Sequence, residues 1–247
     1  MTGSKKMSSS KIFSALILAI GLALSGWFVA NGLITSREPI RIVTVKGLSE
    51  RAVKADLGFW PIQFTAAGKN LETARLGLEK SEAAVMTFLQ KSGFDADEIA
   101  TQNIMVNDRA AGYGNRNASD ELRFVLTQNI LVTSTKVDNL SNAAKNVSQL
   151  IRAGVVFSSD AYSSGASFIF TGISDLKGEM LSEATGRARE AAQKFATESG
   201  SKVGNIKSAN QGVFQILPAV NIPNERSEKQ IDKKVRVVST ITYFLVD

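Results

Sequence analysis

The sequence predicts an α+β domain, an antiparallel or mixed sheet with three helices on one side, preceded by one N-terminal transmembrane helix or signal segment. Three observations predict it. Residues 12–34 are uncharged throughout, several stretches alternate apolar and polar residues at strand period, and three longer stretches repeat their apolar residues at helical spacing.

The uncharged run, IFSALILAIGLALSGWFVANGLI from Ile12 to Ile34, follows Lys5, Lys6 and Lys11 and carries Trp27 near its far end. Its length suffices to span about 30 Å of hydrocarbon as a helix. The basic residues on its N-terminal side keep that end, residues 1–11, in the cytoplasm and export the remainder. A cleaved signal peptide competes, with small residues at Ala23-Leu24-Ser25. Because the apolar run continues through Trp27, Phe28 and Val29, an uncleaved anchor is the favoured reading. The expected place is the inner membrane, single-pass with the C-terminal domain in the periplasm, or the soluble periplasm after cleavage.

Among the 247 residues there are 29 basic and 23 acidic ones, a net charge of +6. Lys5, Lys6, Lys11 and Arg37 flank the apolar segment with Glu38, which leaves 25 basic and 22 acidic residues from Pro39 onward. So mild an excess predicts no nucleic-acid partner. The chain has no cysteine and no histidine. That removes disulfides, thiol nucleophiles, cysteine-ligated metals and the usual general base at neutral pH.

In the exported part, Ile40 to Lys46 alternates as a half-buried strand, and Gly47 to Glu50 reads as a turn before a second strand from Arg51 to about Ala66. Val53, Ala55, Leu57 and Phe59 share one face of that strand. After Trp60-Pro61 the apolar face passes to Ile62 and Phe64, so the pair reads as a bulge that changes phase. Proline donates no ladder hydrogen bond. The strand is therefore expected to pair along its first half and to leave its second half for a partner, with Trp60 and Pro61 as candidate interface residues.

Asn70 to Ser92 is predicted helical and stopped by Gly93. Strands follow at Thr101 to Asp108 and Glu121 to Thr133, separated by a loop of small and polar residues that contains Tyr113, a third candidate interface residue. Val137 to Ala153 reads as a second helix ended by Gly154, and Ser167 to Gly172 as a short strand. Asp175 to Ser199 is a third helix with Leu176, Met180, Ala184, Ala188, Ala191 and Phe195 inward. Its alanines imply close approach to whatever it packs on. Val203 to Leu217 and Lys233 to Val246 read as closing strands, joined by a polar loop expected to be mobile.

Four passages then carry a family resemblance. They are VTVKGLSERAVKADLGFWPI (43–62), LQKSGFDADEIATQNIMV (89–106), NILVTSTKVDNLSNAAKNV (129–147) and EATGRAREAAQKFATESGSKVG (183–204) before the last VSTITYFLV strand. In them residues 40–246 resemble the SIMPL-domain family, named for a signalling protein that binds a pelle-like kinase and abundant as exported bacterial proteins. The family's Pro-Asp pair in the second strand is here Ala55-Asp56. The resemblance implies a periplasmic or membrane-tethered protein, sometimes a large homo-oligomer, sometimes linked to envelope or oxidative stress. It carries no agreed catalytic residues and implies no cofactor.

Each motif with chemistry has a plainer explanation. Ser174-Asp175-Leu176-Lys177 matches the S-x-x-K spacing of a serine nucleophile and its lysine, yet Ser174 stands where a helix N-cap belongs. Ser8 to Lys11 matches too, beside the membrane segment. Asp95, Asp97 and Glu98 lack the spacing of a calcium loop, and Gly112-Tyr113-Gly114 lacks the third glycine of a nucleotide loop, Asn117 holding its place. Lys229, Lys233, Lys234 and Arg236 form a basic cluster that a charged loop explains as well as an anionic surface does. The expected function is non-catalytic binding or homo-oligomeric assembly in the envelope. Two alternatives compete: an envelope hydrolase using Ser174 and Lys177 or a carboxylate pair, and a monomeric tethered adaptor for an envelope protein partner.

Overall fold

A computed structural model describes residues 9–35, 41–111, 122–158 and 165–247. Helix α1 (Ser9–Thr35) is followed by β1 (Ile42–Lys54), β2 (Leu57–Gly68), α2 (Leu71–Lys91), β3 (Ile99–Thr101), β4 (Met105–Asp108) and β5 (Phe124–Ser134). Then come α3 (Val137–Lys145), α4 (Ser148–Arg152), β6 (Val156–Phe157), β7 (Ser167–Ile169), α5 (Ile173–Glu198), β8 (Lys202–Gln211), β9 (Gln215–Pro218) and β10 (Asp232–Val246). The class is α+β, as expected, but the strands form two sheets rather than one. One has the order β1-β10-β8 with β9 also on β10; the other has the order β3-β5-β2-β6 with β4 on β5 and β7 on β2.

The chain divides into two compact units. Met1–Thr44, Ala192–Ser208 and Thr242–Asp247 make one, and Val45–Ala191 with Ala209–Ile241 make the other. In the first, Leu245 N–H donates to the Arg41 carbonyl at 2.9 Å, and Arg41 pairs with Asp247 at 2.8 Å. Among the described residues no helix is long and apolar enough to cross a membrane.

The second unit holds two cores. Trp60, Ile62 and Phe64 of β2 are buried with Ile130 and Val132 of β5, Leu78 and Leu89 of α2, and Leu140 of α3. Met180 and Ala184 of α5 are buried with Val235 and Val237 of β10. The helices therefore do not share one side of one sheet, because each sheet has an apolar face to cover.

Several boundaries differ from expectation for local reasons. β1 runs straight through Gly47 to Glu50, and the chain breaks at Ala55-Asp56 instead, where it leaves one sheet for the other. The Asp56 carboxylate holds that break: it accepts hydrogen bonds from Thr171 N–H at 2.8 Å, Gly172 N–H at 3.0 Å and the Thr171 hydroxyl at 3.1 Å. There is no bulge at Trp60-Pro61. The β2–β5 register runs unbroken from Gly58↔Ser134 through Trp60↔Val132 and Pro61↔Leu131 to Gly68↔Phe124. Gly58, Trp60, Ile62 and Phe64 share the buried face, while Leu57 and Phe59 stand half-buried on the other. The phase change belongs to the break at Asp56.

Helix α2 begins as expected, with the Asn70 side chain accepting from Thr73 N–H at 2.8 Å, and ends at Gly93 with φ of 89°. The helix expected over 137–153 is two. The Asn146 side chain donates to the Asn142 carbonyl at 2.9 Å, and Val147 N–H turns to Ala144, so the α-helical ladder closes there. On α5 the buried row is Met180, Ala184, Ala188, Ala192 and Ala196, with Phe195 62% exposed rather than inward. The strand expected over 203–217 breaks between β8 and β9.

Candidate functional site

The edge of β2 opposite β5 carries the two short strands β6 and β7. β7 pairs with Leu57 to Phe59 and β6 with Phe64 and Thr65, so Trp60 to Ile62 have no ladder partner on that side among the described residues. Ser158 N–H donates to the Gln63 carbonyl at 3.1 Å, which fixes Gln63 as directing its backbone toward β6. Pro61, two residues earlier, directs its nitrogen the same way. The residue with no N–H to donate thus occupies a stretch of edge with no acceptor among the described residues.

Beside this gap lies a cavity of about 250 Å³ lined by Trp60, Pro61, Ile62, Val147, Ile151 and Phe157, with Ala144 and Gly165. Trp60 and Ile62 form its buried wall and Ile151, 49% exposed, its rim. None of these side chains titrates or carries a nucleophile, so the arrangement can hold an apolar group and can move no proton.

Charged groups cluster elsewhere, each in a structural role. Ser49 donates to Glu183 at 2.8 Å, while Arg51 pairs with Glu183 at 2.8 Å and Glu179 at 2.6 Å, joining β1 to α5. The Ser49 hydrogen bond, with Arg187 and Arg51 beside it and burial opposing, holds the Glu183 carboxyl below the usual range. Glu98 folds back to accept from Asp95 N–H at 2.9 Å and from Ser134 at 2.6 Å, and Lys136 bridges Asp95 and Glu98 at 2.7 and 3.1 Å. Burial pushes the Glu98 carboxyl up, but these donors together outweigh it and leave it lowered. Among the described residues no group of three acidic residues could hold a metal ion.

The residues singled out by sequence separate as follows. Trp60 is 4% exposed and stacks edge-on against Phe88, ring centres 6.3 Å apart, so it is a core residue that also walls the cavity and no surface anchor. Pro61 lines the same cavity, and β2 is paired along its full length by β5, so its second half is not free. Tyr113, with Gly112, Gly114 and Asn117, lies outside the described residues. Ser174 is the second residue of α5 and exposed, not its N-cap; Asp175 N–H donates to the Gly172 carbonyl at 3.3 Å.

The basic cluster disperses. Lys229 donates to the Gly165 carbonyl at 3.0 Å, Lys233 is buried against the Ser227 carbonyl, and Lys234 and Arg236 face Glu50 at 3.6 and 3.7 Å. Gln230 donates to the Val220 carbonyl at 2.9 Å, so the loop expected to be mobile is tied to itself and to Gly165. Sequence reasoning missed Asp56 as a tether and the exposed run Ile104-Met105-Val106, whose three consecutive apolar residues break strand alternation and were the available signal.

Two comparisons bear on the chain. The family described as SIMPL, a protein of unknown function (DUF541), matches residues 43–242. No curated protein matches.

Proposed function

The chain belongs to the SIMPL family, and on that footing we propose that it is a non-enzymatic protein of the cell envelope that acts by homo-oligomeric assembly and binding. The proposed setting is the inner membrane, with α1 as an uncleaved anchor and the C-terminal domain in the periplasm, serving tolerance of envelope or oxidative stress. In sequence the uncharged run has 23 residues, about 34 Å as a helix, which supports a span. Export with cleavage yields the same domain in soluble form.

The observation that carries assembly is the outer edge of β4. This strand pairs β5 through Met105 to Asp108 on one side, and no described strand pairs the other. Ile104, Met105 and Val106 are 51, 70 and 54% exposed. An edge with consecutive exposed apolar residues is a template for pairing, which lone proteins blunt with charge or proline. A second copy adding a strand would satisfy its backbone and cover those side chains.

Sedimentation of the detergent-solubilised full chain at several concentrations tests this beside a Met105→Lys/Val106→Lys variant. A discrete oligomer lost in a variant that keeps its melting temperature supports assembly through β4. A monomer at every concentration overturns it. Carbonate extraction of membranes tests the anchor separately: a chain released by carbonate is not anchored by α1.

A further inference from the structure

The sheet built on β2 and β5 has two unlike faces. Its inner positions, among them Trp60, Ile62 and Phe64 with Ile130 and Val132, are buried with residues of α2 and α3. The register puts the odd-numbered residues from Leu57 to Ala67 and from Val125 to Thr133 on the outer face. Ala100, Met105 and Asn107 join them from β3 and β4, and Val156, Ser167 and Ile169 from β6 and β7. None of these outer side chains is buried.

The outer face departs from a solvated one in two respects. A sheet face turned to water is normally polar, yet no outer position carries a charge, and Leu57, Phe59, Val125 and Leu131 stand at its centre. Met105 and Val156 are 70 and 61% exposed on it. Its polar side chains also serve one another: the Asn129 amide donates to Gln102 Oε1 at 2.5 Å and the Ser158 hydroxyl to Gln63 Oε1 at 3.0 Å. Asn129 Oδ1 has no partner among the described residues and is already shielded from solvent, so covering the face adds no cost there. An open apolar patch of this kind marks a contact surface.

Charge selects the occupant. A charged partner would lose the water around its ions with no counter-charge opposite. The threonines and amides among the apolar residues would be stranded in hydrocarbon. A second copy brings an equally uncharged face, and two chains of net charge +6 meet with least repulsion where neither is charged. A two-fold axis in the plane of the sheet lays the face on itself, as an isologous contact requires. Continuity points the same way. Met105 and Asn107 belong both to this face and to β4. Antiparallel pairing of β4 with β4 turns about an axis normal to the sheet, so it sets two uncharged faces side by side and doubles the open area.

We propose that this outer face binds the outer face of a second copy, so that two β4-linked pairs stack into a closed tetramer. The tetramer rests on the proposed β4 pairing; the face contact does not. Sedimentation velocity of the detergent-solubilised full chain compares the parent with Thr65→Lys/Thr133→Lys and with Met105→Lys/Val106→Lys. The parent should have the mass of four chains, each double variant that of two, and their combination that of one. Because a lysine variant can fail to fold, Thr127→Cys in this cysteine-free chain gives a second reading. Its thiol should react with a maleimide more slowly as protein concentration rises. A folded Thr65→Lys/Thr133→Lys with the parent's mass, or a thiol labelled at one rate at every protein concentration, would overturn the face contact. Protection that follows added lipid instead of protein would mean that hydrocarbon covers the face, and overturns it too. If Met105→Lys/Val106→Lys alone changes nothing, the β4 pairing fails and the face contact stands.

Discussion

Gly47 lies so close to Ala184 that a Cβ on the glycine would stand 1.8 Å from the Ala184 carbonyl oxygen and 2.5 Å from the Ala188 nitrogen. Both obstacles are backbone, so neither can turn aside, and the Arg51 and Ser49 bonds to Glu183 hold β1 against α5 at that height. Two passages that carry the family likeness, VTVKGLSER and EATGRAREAA, meet at this point. Gly47→Ala is expected to cost about 3 kcal/mol or more in urea unfolding. Adding Ala184→Gly should restore nothing, because the clash is with main chain. Rescue by that second change would show that α5 can shift and that the contact is looser than its geometry.

Asp56 should behave as a tether. Its carboxylate gathers three donors from Thr171 and Gly172 just ahead of α5. Asp56→Ala is expected to cost about 2–3 kcal/mol, the value of hydrogen bonds to a charged acceptor left without it. Ser174→Ala, one turn away and not at the cap, should cost under about 0.5 kcal/mol. A larger loss from Ser174 than from Asp56, measured by chemical denaturation, would reverse this assignment of roles.

Trp60 makes a prediction that separates core from interface. A buried tryptophan removed from beside Phe88 should cost about 3–5 kcal/mol in Trp60→Ala. The loss relative to the parent should be the same at every protein concentration, whereas the loss from an interface residue would shrink on dilution as the assembly it serves dissociates. Thermal melts across a wide dilution series decide between them.

These residues also mark what could be read without coordinates. Helix α2 was legible end to end because its start at Asn70 and its stop at Gly93 are local chemistry. The alanines of α5 correctly announced a close approach, though they could not say that Gly47 was the partner. The two-sheet arrangement was not legible, since β1 pairs β10 and β2 pairs β5, and alternation within a strand carries no information about a partner so far away in sequence. Trp60 and Pro61 were read as interface candidates at a free half of β2, and that half is paired with β5. Proline's missing donor faces an edge unpaired among the described residues, but β5 covers the opposite edge and the tryptophan is buried.

Lys233 yields a prediction in pH. Burial lowers its amine below the usual lysine range, with Glu228 opposing, and the same burial lowers Lys229. Between the lowered folded value and the ordinary unfolded one, the unfolded chain binds more protons than the folded chain, so stability rises with pH in that window. Lys136, raised first by Asp95 and then by Glu98, works the other way only above the ordinary lysine range. Lys233→Met should therefore be as stable as the parent or more so at neutral pH, where it removes a buried charge. The parent should close the gap as pH climbs through the alkaline side of neutrality. Thermal melts of both proteins over that range provide the check. A gap that widens instead would mean that the Lys233 amine is charged and better paired than its one carbonyl contact at Ser227 allows.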